Sequence, residues 1–434
     1  MFFALMTKSE YQELRATTVI QNAVINVTDN CNLRCPYCFT EANERTISLD
    51  TMKSAIQFLC AECTRIPSII APPRVYFFGG EPMLQFENVI VPTVDWVEQS
   101  GIQKKYGLSF GMTTNGTLLT EENLTWMAKH GVEILLSIDG DRPTQDSQRP
   151  GPNGKSSFDM LSPKLSIITK HFPSITFRST IEPYNAGHLY ENYLFAKANN
   201  FKNYFVTPNT LTDWSQTQIE VLLSQSSLIA KTLYEDISHG TEPLVWTNFV
   251  ASLSTCFSQN SASEISFNHC GIGTTTIGIS TDGGISGCQE HNTYTNHDIF
   301  YIGDIYGGIN EDKHRRLLSA YNALSHPVCK ENPSLCKSCS FYDDCANHFC
   351  PSHNLLAGST IMENSLVTCI WNGFIKELAF IILELAVAES NSHMMEFLKH
   401  NCGIAVNLNH STKDINSGSQ HHEKDLRCIL DDAY

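Results

Sequence analysis

The sequence predicts an α/β protein in which a partial (β/α)6 TIM-like barrel is followed by a small cysteine-rich domain and a C-terminal helix. Short apolar runs alternate with helical patterns from about Asn22 to Asn209, which indicates a parallel sheet. Between Cys270 and Cys369 the helical periodicity fades, and Gly, Asp, Asn and Cys become frequent. We expect metal binding, more than apolar burial, to organise that second region.

Six candidate strands and the helices between them define the predicted barrel. The strands are Ala23–Thr28, Arg74–Phe78, Leu108–Thr113, Val132–Ile138, Ile175–Ile181 and Tyr204–Val206. The clearest helical patterns between them are Leu49–Ala61, Glu121–Lys129 and Leu189–Ala198. Candidate N-caps are Ser48 or Asp50 for the first of these helices and Thr120 for the second.

The same patterns divide the chain into five predicted regions. Ser215–Phe257 is typical of two polar-faced helices, and Phe374–Leu398 is typical of one packed terminal helix. We therefore expect the barrel in residues 1–210, a helical bridge in 211–262, the cysteine-rich domain in 263–372, the C-terminal helix in 373–402 and a flexible tail in 403–434.

Composition excludes several classes of protein. The 434 residues carry a formal net charge of −16, which argues against a nucleic-acid binder because such proteins present a basic face. Residues 1–4 are too few for a signal-peptide core, and the apolar run 374–388 contains charged residues and is shorter than a membrane span. We expect a cytoplasmic protein without membrane attachment. Its sixteen cysteines then indicate metal or redox chemistry rather than disulfides.

Cys31, Cys35 and Cys38 follow directly on the first predicted strand. Their spacing lets one loop wrap three thiolates around a single 4Fe–4S cubane, which leaves one iron open. Such an iron could chelate the amino and carboxylate groups of S-adenosylmethionine (SAM). A zinc knuckle or ferredoxin-like site is the alternative, but both need a fourth cysteine nearby and none precedes Cys60. Cys60 and Cys63 form another CxxC, where we expect buried free thiols.

Glycines and polar residues stand at the ends of the second, third and fourth predicted strands, where ligands bind in parallel α/β barrels. The candidate cofactor-binding residues are Gly79, Gly80, Glu81, Pro82, Thr114, Asn115, Ser137 and Asp139. The glycines allow close backbone approach, and Glu81 or the exposed carbonyls can accept from an ammonium group. Arg149 is a candidate partner for the SAM carboxylate and Arg178 a second one, because guanidinium binds carboxylates through two parallel bonds. Each of these residues could instead belong to an ordinary turn or face solvent.

From about Ala23 to Val206 the sequence resembles the radical SAM superfamily. The triplet Cys31, Cys35 and Cys38 matches its CxxxCxxC motif, and Gly79–Pro82 matches its GGEP motif. The region after the barrel resembles the SPASM extension, which in that family carries two auxiliary 4Fe–4S clusters. The resemblance implies two ligand sets: Cys270, Cys288 and Cys350 for the first auxiliary cluster, and Cys336, Cys339, Cys345 and Cys369 for the second.

Two departures from the SPASM pattern concern the first auxiliary cluster. The interval from Cys345 to Cys350 is one residue longer than expected, and Glu264 stands where sulfatase-maturating members have a further cysteine. The cluster could therefore keep an open iron, which would bind a substrate thiolate as in thioether-forming peptide maturases. Alternatively, it could recruit a further ligand from Cys256, Cys329 or His269.

The residues after Cys288 bear on the reaction. Sulfatase-maturating relatives have a catalytic Asp directly after this cysteine, whereas this chain has Gln289, a neutral amide that cannot accept a proton. Glu290 or His291 could substitute as the base. The resemblance implies an oxidoreductase that cleaves SAM to a 5′-deoxyadenosyl radical and abstracts hydrogen from a ribosomally made precursor peptide, forming a thioether or carbon–carbon cross-link. Formylglycine formation in sulfatases is the alternative reaction.

The resemblance also implies partners. We expect a precursor peptide and an electron donor such as flavodoxin or ferredoxin. Because few residues precede the first strand, we expect the peptide to be captured by the barrel mouth, the SPASM domain, the C-terminal helix or a separate peptide-recognition protein. A non-catalytic iron–sulfur electron carrier is the alternative from another class. The open first cluster and the polar strand ends argue against it.

Overall fold

The computed structural model describes residues 5–257, 270–292, 299–322, 328–329, 336, 350–356 and 363–402. Its strands are β1 Asn22–Thr28, β2 Arg74–Gly79, β3 Ser109–Thr114, β4 Val132–Ser137, β5 Thr176–Ile181, β6 Asn203–Pro208, β7 Val245–Trp246, β8 Thr276–Ile279, β9 Gly284–Ser286, β10 Tyr301–Asp304, β11 Gly308–Ile309, β12 Val328–Cys329 and β13 Glu363–Asn364. Strands β12 and β13 pair with each other, and the rest form one sheet in the order β11-β10-β9-β8-β1-β2-β3-β4-β5-β6-β7.

The α-helices of the described residues mostly connect these strands. They are α1 Lys8–Thr17, α2 Leu49–Cys63, α3 Val91–Gln99, α4 Ile102–Tyr106, α5 Glu121–Lys129, α6 Arg142–Gln148, α7 Ser157–Leu161, α8 Leu165–His171, α9 Leu189–Ala198, α10 Gln216–Ser238, α11 Thr247–Phe257, α12 Glu311–Asn322, α13 Pro351–Leu356, α14 Leu366–Ala388 and α15 Ser392–Cys402.

Strands β1 to β6 are parallel and lie side by side in chain order. The predicted six-unit α/β barrel is confirmed, with strand bounds that differ by one or two residues. Ser48 caps α2 by accepting from the backbone N–H of Thr51 at 3.0 Å, which decides between the two candidate caps. All six carboxyl ends lie at one edge of the sheet, and this edge carries the candidate site.

The cysteine-rich region extends the barrel sheet. Strand β8 pairs in parallel with β1, and β9, β10 and β11 add antiparallel strands beyond it. Ile277, Ile285 and Phe300 are fully buried, so apolar burial also contributes to this part of the cysteine-rich region. Sequence patterns missed these strands because they are only two to four residues long, too short for a visible alternation.

Helix α12 was also missed, since its many charged residues mask a short buried face. That face includes His314, Leu317 and Leu318. The hydroxyl of Tyr11 in α1 lies 2.9 Å from Nδ1 of His314, and Nε2 of His314 lies 2.6 Å from the carbonyl oxygen of Gly273. Helix α12 thereby joins the N-terminal helix to the segment that enters β8.

The predicted bridge is packed into the molecule. Helices α10 and α11 are present as expected, but β7 lies between them and pairs in parallel with β6. Buried residues run along α10, and its Ser226 accepts from the indole N–H of Trp371 in α14 at 3.1 Å. Helix α10 therefore has a buried face, which packs against α14, in addition to its exposed polar residues.

The predicted terminal helix Phe374–Leu398 is two helices. Helix α14 begins earlier, at Leu366, and the chain turns at Ser390, whose φ of 51° lies in the left-handed region. Among the described residues, α14 is long and apolar enough to cross a membrane, but 56% of its most apolar window is buried inside the protein. It is therefore a core helix in this fold. The predicted tail, residues 403–434, lies outside the described residues.

Candidate functional site

The loop that carries Cys31, Cys35 and Cys38 packs directly on the end of β2. The backbone N–H of Gly80 donates to the carbonyl of Thr28 at 2.8 Å, and that of Glu81 donates to the carbonyl of Asn30 at 2.9 Å. These bonds hold the start of the loop against the glycine-rich turn before the first cysteine is reached.

Gly79 and Gly80 are required by this close approach. A Cβ on Gly79 would lie 2.1 Å from the carbonyl oxygen of Thr28, and a Cβ on Gly80 would lie 2.2 Å from that of Asn30. Gly79 also has a φ of 123°, which side chains rarely adopt. The predicted reason for these glycines, close backbone approach, is met here by the cysteine loop itself.

The three thiols lie in one short loop and none forms a disulfide. Burial raises the pKa of Cys31 to about 11 and that of Cys35 to about 12, while each also interacts electrostatically with Cys38. Cys38 is exposed, so the site opens to ligand on that side. Three free, mutually close thiols fit a 4Fe–4S cluster, and loading it would displace their protons.

Glu81 is a buried structural anchor. Its Oε1 accepts from the hydroxyl of Thr114 at 2.7 Å and from the N–H of Met83 at 3.0 Å, and its Oε2 accepts from the N–H of Asn115 at 2.8 Å. Burial raises the pKa of this carboxyl, and the three hydrogen bonds partly offset that rise. The carboxylate thus joins the ends of β2 and β3, leaving the carbonyls of the turn as the predicted acceptors for an ammonium group.

Asn32, inside the cysteine loop, reaches the end of β3. Its Oδ1 accepts from Nδ2 of Asn115 at 2.9 Å, and its Nδ2 donates to the hydroxyl of Thr117 at 2.8 Å. Asn115 in turn accepts from the N–H of Thr117 at 3.0 Å. The side chain of Asn115 therefore fixes the loop. Sequence reasoning missed Asn32, because its partners are more than eighty residues away.

Asp139 and Arg149 form a buried ion pair beside Cys35. Nε and Nη2 of Arg149 donate to the two carboxylate oxygens of Asp139 at 2.9 and 3.1 Å. Asp139 also accepts from the hydroxyl of Tyr37 at 2.5 Å and from the N–H of Thr180 at 3.0 Å. All of these donors come from the protein, so the carboxylate of Asp139 serves to hold Tyr37 and Arg149 at the cysteine loop.

Ser137 and Arg178 are two further predicted residues whose side-chain polar groups have no hydrogen-bond partner among the described residues. Ser137, at the end of β4, is 7% exposed, and among the described residues its hydroxyl has no hydrogen-bond partner. Arg178 lies in β5 with its guanidinium 5.9 Å from the ring centroid of Phe205. The end of the barrel thus offers one hydroxyl and one guanidinium to a ligand.

A second group of thiols forms where the sheet extension meets α13. Cys270 precedes β8, Cys288 follows β9 and Cys350 precedes α13. Burial raises the pKa of all three thiols, and both Cys288 and Cys350 interact electrostatically with Cys270. The structure therefore brings together the three cysteines predicted for the first auxiliary cluster, although they are far apart in sequence.

Glu290 and His353 form an ion pair at this second group. Oε1 of Glu290 lies 3.0 Å from Nε2 of His353, whose Nδ1 lies 3.0 Å from the hydroxyl of Thr210. The ligand atoms of Glu290, Cys350 and His353 all lie within 4.8 Å of one another. Burial alone would raise the pKa of Glu290, but His353, His291 and Arg178 outweigh it and hold that pKa below its ordinary value. The pKa of His353 is raised, because the attraction of Glu290 outweighs burial.

The other two candidate bases have different surroundings. His291 is buried and stacks on Phe300, with 3.7 Å between ring centroids. Oε1 of Gln289 lies 3.6 Å from the sulfur of Cys288. Oε2 of Glu290 is buried and, among the described residues, has no hydrogen-bond partner, so it remains available as a proton acceptor. Sequence reasoning missed His353, because a lone histidine carries no motif.

Several predicted ligands cannot be placed. Cys336 and Cys369 are half-buried. Residues Cys339, Cys345, Glu264 and His269 lie outside the described residues, as do the side chains of Cys256 and Cys329. The cysteine pair in α2 lies in the core. Cys60 and Cys63 are 4% and 3% exposed, which confirms the prediction of buried free thiols.

Comparison with known proteins identifies the barrel. The family described as "Radical SAM superfamily" matches residues 25–181, which include the cysteine loop and the ends of β1 to β5. Residues 25–181 form a radical SAM domain. The predicted resemblance to the radical SAM superfamily is thereby confirmed for these residues.

Curated relatives are similar over the radical SAM domain. A protein of Archaeoglobus fulgidus without an assigned function is 26% identical over 185 residues, which are 42% of this chain and 39% of the relative. The cysteine-type anaerobic sulfatase-maturating enzyme of Clostridium novyi is 24% identical over 40% of this chain and 47% of its own length. The radical SAM cyclopropyl synthase TigE of Paramaledivibacter caminithermalis is 27% identical over 37% of this chain and 36% of its own length. The chain thus spans less than half the length of each.

Solved structures share the fold over most of the chain. The structure of anSMEcpe with bound AdoMet matches with a TM-score of 0.67 at 18% identity, covering 86% of this chain and 99% of that one. Streptococcus suis SuiB bound to the precursor peptide SuiA matches with a TM-score of 0.55 at 15% identity, covering 83% of this chain and 78% of that one. These matches confirm the predicted fold class.

Proposed function

We propose that this protein is a radical SAM peptide maturase. In this proposal SAM cleavage gives a 5′-deoxyadenosyl radical, which would take a hydrogen atom from a ribosomally made precursor peptide. The peptide radical would then form a thioether or carbon–carbon cross-link with loss of one proton to a base and one electron, which an auxiliary cluster would accept. One observation carries the proposal: three free thiols lie in one loop anchored to the ends of β2 and β3, and a buried acid–histidine pair lies within 4.8 Å of the thiol of Cys350 in the second group.

Cys31, Cys35 and Cys38 would hold the SAM-binding cluster. When bound, the cluster supplies the electron that breaks the carbon–sulfur bond of SAM, giving methionine and the 5′-deoxyadenosyl radical. The protein fixes the three thiols through Gly80, whose N–H holds the start of the loop, and through Asn32, which ties the loop to β3. Such anchoring places the sulfurs without help from the ligand.

Residues around the loop would bind SAM. The carbonyls of the turn Gly79–Pro82 accept from its ammonium group, and the hydroxyl of Ser137 is free for a polar group of the cofactor. Arg149 keeps one guanidinium nitrogen, Nη1, outside its bidentate pair with Asp139, so it remains a candidate for the SAM carboxylate. Thr114, Asn115 and Asp139 act indirectly, since each holds another part of the site.

Glu290 would remove a proton from the substrate. Its carboxylate is ionised at neutral pH, because its pKa lies below the ordinary value, and Oε2 is free to accept. His353 orients the carboxylate through Oε1 and would stabilise it electrostatically. Cys270, Cys288 and Cys350 would hold the first auxiliary cluster, and the second would use Cys336, Cys339, Cys345 and Cys369.

Peptide modification is favoured over sulfatase maturation by one residue. Gln289, which follows Cys288, is neutral and lies against the sulfur, so it cannot serve as the base that sulfatase-maturating relatives carry there. The similarity to TigE, named a cyclopropyl synthase, and to SuiB, bound to its precursor peptide, supports a peptide substrate. The similarity to sulfatase-maturating enzymes keeps formylglycine formation as the second candidate. A flavodoxin or ferredoxin would supply electrons, and a separate protein could present the peptide.

Two measurements test the proposal. The anaerobically reconstituted and reduced full chain should release 5′-deoxyadenosine from SAM, and a protein that releases none would instead be an electron carrier. Coexpression with a short peptide encoded beside its gene should give a peptide that has lost a hydrogen pair, detected by mass spectrometry. A sulfatase-derived peptide converted to formylglycine, with the short peptide unchanged, would favour the second candidate.

A further inference from the structure

Asn292 joins the segment behind Cys288 to the first strand of the barrel. Its Nδ2 donates to Oδ1 of Asn26 in β1 at 3.0 Å and to the carbonyl oxygen of Ile279 in β8 at 3.1 Å. Its Oδ1 lies 2.5 Å from the hydroxyl oxygen of Ser286 in β9, which also lies 2.8 Å from the carbonyl oxygen of Cys288. One side chain therefore contacts β1, β8 and β9 at the same point.

The turn 288–292, which Asn292 ends, carries two groups of the second site. Cys288 begins the turn, and Glu290 lies in its middle. Two backbone hydrogen bonds close it: the N–H of His291 donates to the carbonyl of Cys288, and that of Asn292 donates to the carbonyl of Gln289, both at 3.1 Å. Because the turn is short and closed, the contacts of Asn292 also fix the backbone of Cys288 and Glu290.

Gly278 in β8 provides the space that this turn needs. A Cβ on Gly278 would lie 2.3 Å from Oδ1 of Asn292 and 2.8 Å from Cα of Gln289. The residues on either side of it, Ile277 and Ile279, are fully buried in the apolar core. Since successive side chains of a strand point to opposite faces, the turn 288–292 packs on the face of the sheet away from that core.

The contact continues from β1 to the cysteine loop. Nδ2 of Asn26 donates to Oδ1 of Asp29 at 3.0 Å, and Asp29 lies two residues before Cys31. Asp29 is held in turn by Arg45, whose Nε donates to its Oδ2 at 3.0 Å. Asn26 and Asp29 are 2% and 1% exposed, so water does not compete for the bond between them. Three side chains, Asn292, Asn26 and Asp29, thus link the second thiol group to the first.

We propose that Asn292 is a positioning residue, which sets the place of Cys288 and Glu290 relative to the cysteine loop. This inference rests on the proposed function for the roles of those two residues. A base must lie within hydrogen-bond reach of the proton that it removes, and a displacement of about 1 Å can lower a rate by on the order of 10²-fold. Asn292 and Asn26 are 266 residues apart in the chain, so only tertiary contacts of this kind can fix the relative position of the two sites.

Substitutions at the two ends of the contact test the link. Asn292→Ala removes the amide from the turn, whereas Asn26→Ala removes its acceptor in β1 and leaves the sequence of the turn unaltered. Hydrogen exchange of the full chain, followed by mass spectrometry, should be faster in residues 288–292 of both variants. We expect an increase of about tenfold in Asn292→Ala and a smaller one in Asn26→Ala, because each lost hydrogen bond lowers the free energy of local opening.

The double variant shows whether Asn26 acts through Asn292. If it does, Asn26→Ala combined with Asn292→Ala should exchange no faster in the turn than Asn292→Ala alone. Unchanged exchange of the turn in Asn26→Ala, or additive effects in the double variant, would overturn the proposal.

A spectroscopic signature separates positioning from a general loss of stability. The reduced, reconstituted protein should have an electron paramagnetic resonance signal that is missing from Cys288→Ala. That signal should change shape in Asn292→Ala and Asn26→Ala, while the iron content and the response of the first loop to SAM stay unchanged. Loss of about four iron atoms per chain in Asn292→Ala would show that the residue only holds the extension together, and would overturn the proposal.

Asn310→Ala is the matched control for both measurements. It removes another amide of the sheet extension, whose Oδ1 accepts from the N–H of Lys313 at the start of α12 at 3.0 Å. We expect this variant to leave both the exchange of the turn and the signal unchanged. Equal effects of Asn310→Ala and Asn292→Ala would contradict a specific role for Asn292.

The proposed function is tested separately by the release of 5′-deoxyadenosine. If the unaltered protein did not cleave SAM, but the turn responded to both substitutions, the proposed function would fail and the link between the two thiol groups would stand. If it cleaved SAM and modified its peptide, Asn292→Ala should keep the release of 5′-deoxyadenosine and lower the modified peptide formed per 5′-deoxyadenosine by about tenfold. An unchanged ratio would overturn the positioning role alone.

Discussion

The two thiol groups of this protein are built in different ways. Cys31, Cys35 and Cys38 lie in one loop, which is anchored to the neighbouring strand ends. Cys270, Cys288 and Cys350 come from three separate segments, and they meet only because β8 adds to the edge of the barrel sheet beside β1. The first site is therefore local in sequence, whereas the second depends on the fold of the whole extension.

Because the two thiol groups are built differently, substitutions in them should have different effects. A change to a thiol of the first group should remove one function and leave the barrel folded, since the barrel core does not use those side chains. A change at the second group should leave SAM cleavage intact but alter the later steps of the reaction, in which the peptide is modified. Single substitutions test that separation, from the largest expected effect to the smallest.

Replacing Cys35 should have the largest effect. In Cys35→Ala we expect 5′-deoxyadenosine release to fall below detection and iron content to fall by about four atoms per chain, because the loop loses one of three ligands. Liquid chromatography measures the release of 5′-deoxyadenosine, and iron quantitation measures the iron content. Cys60→Ala, which removes a buried thiol from α2, is the matched control and should retain both. Equal SAM cleavage by Cys35→Ala and the unaltered protein would refute the site.

Replacing Glu290 should separate SAM cleavage from product formation. Glu290→Gln keeps the size of the side chain but removes the proton acceptor, so peptide modification should slow by about 10²-fold or more. Uncoupled release of 5′-deoxyadenosine and the iron content should both stay unchanged. A parallel loss of SAM cleavage would show that the two sites do not act separately.

Replacing Gly80 should weaken the first site through the backbone. A methyl group there would meet the carbonyl of Asn30, so Gly80→Ala should cost about 1–3 kcal/mol and lower the iron retained by the loop. Unfolding by denaturant and iron retention during gel filtration are the measurements. Gly187→Ala, where a Cβ would meet only Val221 at 3.8 Å, should change neither. If Gly80→Ala and Gly187→Ala had the same stability and iron retention, the close approach of Gly80 to Asn30 would not be what requires a glycine.

The attachment of the extension should depend on pH. Burial lowers the pKa of His314 to about 4, below its ordinary value near 6.5, so the unfolded chain takes up the proton at a higher pH than the folded one. Stability is then lost as pH falls from about 6.5 towards 4, by on the order of 3 kcal/mol from this residue. Denaturant unfolding of the protein at pH 7 and pH 5 measures it. His314→Gln should flatten that dependence, and an unchanged slope would contradict this role.

The sequence predicted the parts of the site that are contiguous. The cysteine loop and the turn Gly79–Pro82 each follow a strand within a few residues, so their spacing alone carried the interpretation. Tyr37 and Asn32 lie inside the cysteine motif, but their partners Asp139 and Asn115 are 102 and 83 residues away. Pattern reasoning found those partners as strand-end residues, yet it could not show that they would bind the protein rather than a cofactor.

The sheet extension was the least predictable part of the fold. Strand β8 has four residues and gains its stability from pairing with β1, a contact that no local pattern records. His353 was missed for the same reason: it lies in α13, and only the tertiary fold brings it to Glu290. Contiguous ligands and long strands were therefore predictable, whereas short strands and paired side chains from distant segments were not.

The most direct test of the account is whether SAM perturbs a cluster held by the first loop. Electron paramagnetic resonance of the reduced, air-free protein should change on addition of SAM, and the change should persist in Cys288→Ala and disappear in Cys35→Ala. A signal that SAM does not alter, from a cluster already bound by four side chains, would contradict it.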